Sequence, residues 1–339
     1  MIFDTIRGAE ARLHTNTTSI NQTGNNDLTA FNNNGYTLDD NSGGANTDVN
    51  GSGTKYVGWS WKAGGNKNTF NKDDVGYASA AAAGLTGGSI TPTGSSVGTR
   101  QGFSIVKATL GTASGNVTIP HGLEKTPDFI IAKSLTNTYN WDIYHKDATP
   151  GGANRLIFTS SAVDSQDPWG NVAPTSSVFT FNAGFYNNAS SNVIYYSWHD
   201  VPGLQKFGKY TGNGTQSYSS GANVNTNGPF VELGFEPALI IIKGYSAASD
   251  WSIFDQERCK INYNDVALRV NYANGEIGNA RGGVGEASQP QNYCVDILSN
   301  GFKIRATGGA VNYGSTGYIY AAWAKAPTFN LFGAQSNAF

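Results

Sequence analysis

Four histidines, two cysteines and two acidic clusters are the residues of this 339-residue chain with the chemistry for catalysis or metal binding. Nucleophilic catalysis needs a Ser or Cys beside a His that an acid orients. His14, His121, His145 and His199 are dispersed, and in an internal alignment His145 falls on Asp255 and His199 on Ala324. No catalytic constellation is therefore repeated. A glycosidase needs two carboxylates flanking the scissile bond. Asp142 with Asp147, and Asp250 with Asp255, are the nearest clusters, but Asp142 aligns with Ser252. These acids read as turn caps and acceptors of backbone N–H groups. No His-Glu-x-x-His, Cys-x-x-Cys or Ca²⁺-loop pattern occurs, so the expectation is no catalytic residue, no metal and no cofactor. Isolated Asp and Asn oxygens in loops leave Ca²⁺ open. Gly111–Gly115 and Gly212–Gly221 lack the Lys and Ser/Thr of a phosphate loop and read as loop tips.

Aromatics are the other chemistry-bearing group. Trp61, Trp141, Trp198, Trp251 and Trp323 recur within apolar runs, where a Trp is expected to anchor a core because it buries a large area. Trp169 differs: it follows Asp167-Pro168 in a polar stretch without an internal counterpart. Tyr186, Tyr218 and Tyr313 also lie among Asn, Ser and Gly. Aromatics in such loops form adaptable recognition surfaces, so these four are the candidate glycan or receptor contacts.

The elements that must position these residues repeat along the chain. Residues 102–202 contain Phe129-Ile130-Ile131-Ala132-Lys133, Asn140-Trp141-Asp142-Ile143-Tyr144 and Tyr195-Tyr196-Ser197-Trp198. Residues 203–327 answer with Leu239-Ile240-Ile241-Ile242-Lys243, Asp250-Trp251-Ser252-Ile253-Phe254 and Tyr320-Ala321-Ala322-Trp323. Residues 1–63 match only the back half: Ile2-Phe3-Asp4, Asn34-Gly35-Tyr36-Thr37-Leu38 and Tyr56-Val57-Gly58-Trp59-Ser60-Trp61. Such a partial repeat has an open sheet edge and is expected to pack on a neighbouring domain or subunit. Residues 64–101 form a Gly/Ser/Thr-rich connector with a short Ala-rich helix over 74–85, N-capped by Asp73 or Asp74. Residues 328–339 are a tail.

The apolar runs are short and rich in β-branched and aromatic residues, as strands are. Continuous runs such as Phe129–Ala132 predict central strands buried on both faces. Val178–Phe181 and Phe302–Arg305 alternate and predict one wet face. Asn34-Gly35, Asn213-Gly214 and Asn300-Gly301 mark hairpin turns. The expected fold is all-β: tandem antiparallel β-sandwich (jelly-roll) domains with an N-terminal partial repeat.

As a group, Asp4–Ala9, Asn34–Leu38, Tyr56–Gly65, Gly122–Ile131 and Tyr210–Gly214 resemble the repeated domain of fibre and particle proteins from marine tailed phages. The resemblance implies a concanavalin-like, lectin-like sandwich and a virion component assembled in the host cytoplasm. It further implies other virion proteins as partners, a homo-oligomer with a trimer favoured, and host-surface polysaccharide as a ligand. A capsid decoration protein is the alternative, and a polysaccharide-degrading enzyme a more distant one.

Composition narrows the classes further. Formal net charge is -2, from 22 basic and 24 acidic residues, which lacks the basic footprint of a nucleic-acid binder. No apolar run reaches the length of a membrane span. Met1-Ile2-Phe3-Asp4 does not start a signal peptide. Cys259 and Cys294 read as free thiols.

Overall fold

The computed structural model describes residues 1–24, 27–39, 48–111, 114–186, 191–214, 227–277, 293–306 and 309–327. Short β-prone runs punctuated by Gly and Asn give strands joined by tight turns. In the N-terminal segment, β1 (Ile2–Asp4) pairs with β2 (Gly8–Leu13), and β3 (Leu28–Asn32) with β4 (Gly35–Leu38). Next come β5 (Phe70–Lys72), β6 (Val75–Tyr77) and β7 (Pro92–Gly98). They are followed by β8 (Phe103–Thr109), β9 (Asn116–Pro120), β10 (Phe129–Ser134), β11 (Trp141–His145), β12 (Leu156–Ile157), β13 (Val178–Asn182) and β14 (Asn192–Trp198). The last part contains β15 (Gln205–Thr211), β16 (Phe230–Glu232), β17 (Pro237–Gly244) and β18 (Trp251–Asp255). It ends with β19 (Leu268–Arg269), β20 (Val295–Leu298), β21 (Gly301–Ile304) and β22 (Gly317–Ala324).

The fold is all-β and antiparallel apart from the β5–β7 pair. One sheet has the order β12-β11-β10-β14-β8-β7-β5-β6, and a second has β15-β22-β17-β18-β19. Read from β12 to β8 and from β19 to β15, the two five-strand arrays have the same order. A smaller sheet accompanies each: β13-β9 beside the first array and β16-β21-β20 beside the second.

Side-chain alternation along each strand sends residues to opposite faces. In β10, Phe129 and Ile131 point to a central core, while Ile130 and Ala132 point to an outer core shared with β9 and β13. In β17, Leu239 joins the central core, while Ile240 and Ile242 join a second outer core shared with β16, β20 and β21. β10 and β17 are therefore flanked by strands and covered on both sides, which is why their apolar runs are unbroken. The central core collects the inner faces of both arrays together with Leu13, Ala63, Ile2, Ile6 and Trp59 of the N-terminal part.

The connector departs from expectation. No helix forms over 74–85. Asp73 and Asp74 have φ of 48° and 69° and form the tip of the β5–β6 hairpin, where left-handed residues match the twist of paired strands. The Ala-rich run then makes a single turn, with Ala83 N–H donating to Ser79 O at 3.1 Å. Ala80 and Ala83 are buried because their small side chains fit against the first outer core. Residues 70–98 thus extend the first large sheet and are more than a linker.

Ile240→Ala removes a fully buried side chain from β17 and is expected to cost about 2–5 kcal/mol. Val75→Ala, on the exposed β6 edge, should change stability by less than about 0.5 kcal/mol. Urea denaturation followed by tryptophan fluorescence measures both.

Candidate functional site

The four aromatic contact candidates do not share one surface. Trp169 is buried, edge-on to Tyr144, Phe179 and Phe181 at 5.9, 6.3 and 5.6 Å. Tyr186 is also buried, stacked on Tyr139 at 4.9 Å, with its hydroxyl donating to Asp142 Oδ2 at 2.6 Å. Both were expected on exposed loops, and both belong to the first outer core. Their polar local sequence is folded under by long-range contacts: Asn182 N–H donates to Pro168 O at 2.7 Å, and a 3₁₀ turn over Ala183–Tyr186 rolls the ring inward. Tyr313 is 39% exposed. Tyr218 lies outside the described residues. Trp141, Trp198, Trp251 and Trp323 are buried, whereas Trp61 is 37% exposed.

The carboxylates and histidines are engaged internally. Asp142 is paired with Arg155 as well as Tyr186. Burial pushes its carboxyl up to about 6, against the opposing pull of Arg155. Asp147 lies 3.4 Å from Lys209. Asp250 accepts from Asn271 at 2.9 Å, Tyr293 at 3.0 Å and Arg269 at 3.3 Å. His121 accepts from Leu123 N–H through Nδ1, and burial lowers its pKa to about 4. His145 accepts from Asp147 N–H, lies 3.3 Å from Tyr320 O, and is lowered by burial to about 3. Among the described residues no cluster of three His, Cys, Asp or Glu is placed to hold a metal. Cys259 and Cys294 are unpaired.

The most ordered polar geometry lies between arrays. Trp141 Nε1 donates to His14 O at 3.0 Å, and Lys133 Nζ donates to Thr18 O at 3.0 Å and Tyr139 O at 2.8 Å. One array further on, Trp251 Nε1 donates to Ile157 O at 2.8 Å, and Lys243 Nζ to Ser161 O at 2.9 Å and Ser249 O at 2.7 Å. The acceptors correspond. Leu13 pairs with Ile2, Leu156 with Ile143 and Leu268 with Ile253; His14 and Ile157 each follow that Leu, and Thr18 and Ser161 stand four residues beyond them. Each preceding segment therefore offers carbonyls to the Trp and Lys of the next. Burial holds both lysines down to about 8, and the carbonyls replace part of their lost hydration.

A second motif recurs at the corners. Asp4 Oδ1 accepts from Ile6 and Arg7 N–H, and Asp4 Oδ2 from Arg7 Nε; Asp255 repeats these bonds with Glu257 and Arg258. Asp4 also receives Tyr196 OH of β14 at 2.6 Å, while His145, at the corresponding position, meets Tyr320 O of β22. Finally, Trp61, Trp198 and Trp323 form a triangle. Their centroids are 6.4 Å (61–198), 5.2 Å (61–323) and 6.1 Å (198–323) apart, with interplanar angles of 73°, 70° and 70°. Sequence reading did not single out the lysines or the Asp–Arg corners. The signal was present, as Lys closing both apolar runs and Asp-x-x-Arg in two places.

An open depression of about 440 Å³ lies at the end of β8 and β14, lined by Asn21, Thr93, Lys107, Thr109, Thr136 and Asn192 among others. Hydroxyls, amides and one ammonium dominate it, a donor and acceptor set suited to polyols.

The architecture defines an all-β protein whose recurring chemistry is inter-strand scaffolding. Residues 1–327 match the family described as "Domain of unknown function (DUF7483)", and the chain belongs to that family. The match spans the N-terminal segment and both arrays together. No curated protein and no solved structure matches the chain.

The depressed histidines give acid sensitivity. Below about 6.5 the unfolded chain binds protons that buried His121 and His145 refuse, so stability falls as pH drops from about 6.5 towards about 4. At pH 4.5 the loss should approach about 2–3 kcal/mol per histidine, and His145→Gln should show a smaller loss between pH 7 and 4.5 in urea titrations. The lysines act in the same sense at higher pH. From about 8 to 10.5 the unfolded state holds more protons, and stability should rise.

Proposed function

We propose that the chain is a non-enzymatic structural and adhesive component of a tailed-phage virion, a fibre or surface appendage. In this reading its N-terminal segment and two arrays form a pseudo-threefold body within one polypeptide. The observation that carries it is the Trp61–Trp198–Trp323 triangle, together with the recurring Trp/Lys-to-carbonyl bonds that join one array to the next. Symmetric assembly is the usual way to build such a body, and here one chain supplies three corresponding elements. The buried acids and histidines serve the scaffold, which supports a role in presentation. Ligand contact then falls to exposed groups: Tyr313 and the polar depression, with host-surface polysaccharide as the ligand class. Homo-oligomerisation belongs to the same reading, through surfaces that the N-terminal segment leaves open.

Two measurements test it. Mass spectrometry and immunogold labelling of purified particles should find the chain on the virion surface, and its absence there overturns the reading. Purified protein should adsorb to host cells, and a Lys107→Ala/Thr109→Ala double variant should bind about tenfold more weakly, the loss of roughly one charged or two neutral hydrogen bonds. Unchanged adsorption would move the ligand site away from the depression.

A further inference from the structure

We infer that the depression at the end of β8 and β14 takes an acidic saccharide. Lys107, Asn21, Asn192 and Thr136 donate to its oxyanion group, a carboxylate or a sulfate ester, while Thr93 and Thr109 accept from sugar hydroxyls. The inference rests on the polysaccharide reading above and names the ligand's charge, which that reading leaves open.

The depression holds about 440 Å³, within the range of small-ligand sites, about 300–1,000 Å³. Three parts of the chain meet there. Asn21 comes from the N-terminal segment and Thr93 from β7; Lys107 and Thr109 on β8, Thr136 after β10 and Asn192 on β14 come from the first array. Asn21 N–H donates to Leu135 O at 3.1 Å, and Leu135 N–H to Asn192 O at 2.7 Å. Backbone bonds thus fix the N-terminal wall to the other two strands.

Internal bonds decide which polar atoms are left for a ligand. Arginine has donors only, so the bond from Arg7 Nη1 at 2.7 Å fixes the orientation of the Asn21 amide. Its Oδ1 faces Arg7, and its NH₂ is the remaining group. The Arg7 side chain is buried and paired with Asp4, and its pull on the amide oxygen strengthens that NH₂ as a donor. Asn192 Oδ1 accepts from Thr109 Oγ1 at 2.6 Å, which leaves the NH₂ of Asn192 as well. Thr136 Oγ1 accepts from Asn192 N–H at 3.2 Å and from Asn137 Nδ2 at 3.3 Å. With both lone pairs used, Thr136 offers its hydroxyl proton. Half-buried Lys107 adds three N–H donors and a full positive charge. Among the described residues that line the depression none is acidic.

Thr93 and Thr109 have the opposite polarity. Each hydroxyl donates inwards, Thr93 to Lys107 O at 3.2 Å and Thr109 to Asn192 Oδ1, and keeps lone pairs for a ligand hydroxyl. A neutral polyol matches the threonines but does not compensate the ammonium. An oxyanion takes several donors at once, in charge-assisted bonds about twice as strong as neutral ones. The second array differs at the corresponding positions. By register, Lys107 answers to Lys209, which lies 3.4 Å from Asp147, and Asn192 to Gly317, which has no amide side chain.

The test is isothermal titration calorimetry of the full chain with two matched pairs: trigalacturonic acid and its methyl ester, and maltotriose sulfate and maltotriose. In at least one pair the charged member should bind about tenfold or more tightly than the neutral one, and that pair identifies the oxyanion. Raising salt from about 0.02 M to about 0.5 M should shrink the difference at least threefold or so, because screening weakens exposed charge pairs. Lys107→Met keeps the apolar stem and should weaken the charged ligand about tenfold while leaving the neutral one unchanged. Asn192→Asp, similar in shape but acidic, should weaken it by about as much. An unchanged melting temperature shows each variant folded, and the salt dependence of the parent chain tests the inference without any variant. Equal affinity within both pairs, a charge preference that survives Lys107→Met, or no binding of either charged ligand at several millimolar overturns the inference. So does displacement by inorganic sulfate at equal concentration, which would make this a site for a free anion. Host-cell adsorption by a chain that binds neither charged ligand would sink this inference alone, whereas absence from particles would overturn the virion reading alone.

Discussion

The central core is the constraint on which the rest depends. A sheet whose strands are apolar on both faces must be covered twice. In this chain the small sheets cover only the outer faces of the two arrays. The inner faces, with Trp141, Ile143 and Trp198 on one side and Trp251, Ile253 and Trp323 on the other, have only each other and the N-terminal segment. Neither array could be solvated alone without exposing a contiguous apolar surface of the kind that marks an interface. The arrays are therefore sandwiches by their outer cores and inseparable by their inner one.

That core sets the polar chemistry around it. Where one segment ends against the next, backbone carbonyls leave their ladders and would be stranded beside an apolar interior. Lys and Trp answer this because each carries a donor at the end of a long apolar body. Lys133 and Lys243 are fully buried and each reaches two carbonyls, one from its own loop and one from the preceding segment. Directional bonds of this kind add little net stability compared with the apolar area around them. Their effect is on geometry, since they fix how far one array turns relative to the next. The Asp–Arg corners do the same for the strand that follows β1 and β18.

How much of this was legible follows from which interactions are local. Strand positions were, because alternation and continuous apolar runs report the number of covered faces; β10 and β21 show the two cases, whereas in β13 Thr180 is buried although the alternation predicts a wet face. The recurring tryptophans were legible for the same reason. Trp169 and Tyr186 were not. Their neighbours in sequence are polar, and only the return of residues 168–182 beneath the sheet buries them. The run Ala80–Ala83 suggested a helix on propensity alone, but a short Ala run is marginal by itself, and packing against the outer core decided its shape. Lys133 and Lys243 were not legible, because nothing in their own sequence reveals the carbonyls of a distant segment.

The N-terminal segment shows what the core demands when an array is only half present. Leu13 is buried in the central core with Ile2 and Trp59 partly buried against it, and Trp61 joins the tryptophan triangle while staying 37% exposed, so the inner face is less fully closed than in the other two cases. Among the described residues no further sheet pairs with or extends β3 and β4, and Phe31, Tyr36 and Leu38 remain partly or largely open. Burial is thus fullest at Leu13 and falls off towards Trp61 and Tyr36. The segment packs on the body through that inner face, and Tyr36 on its other side is 44% exposed.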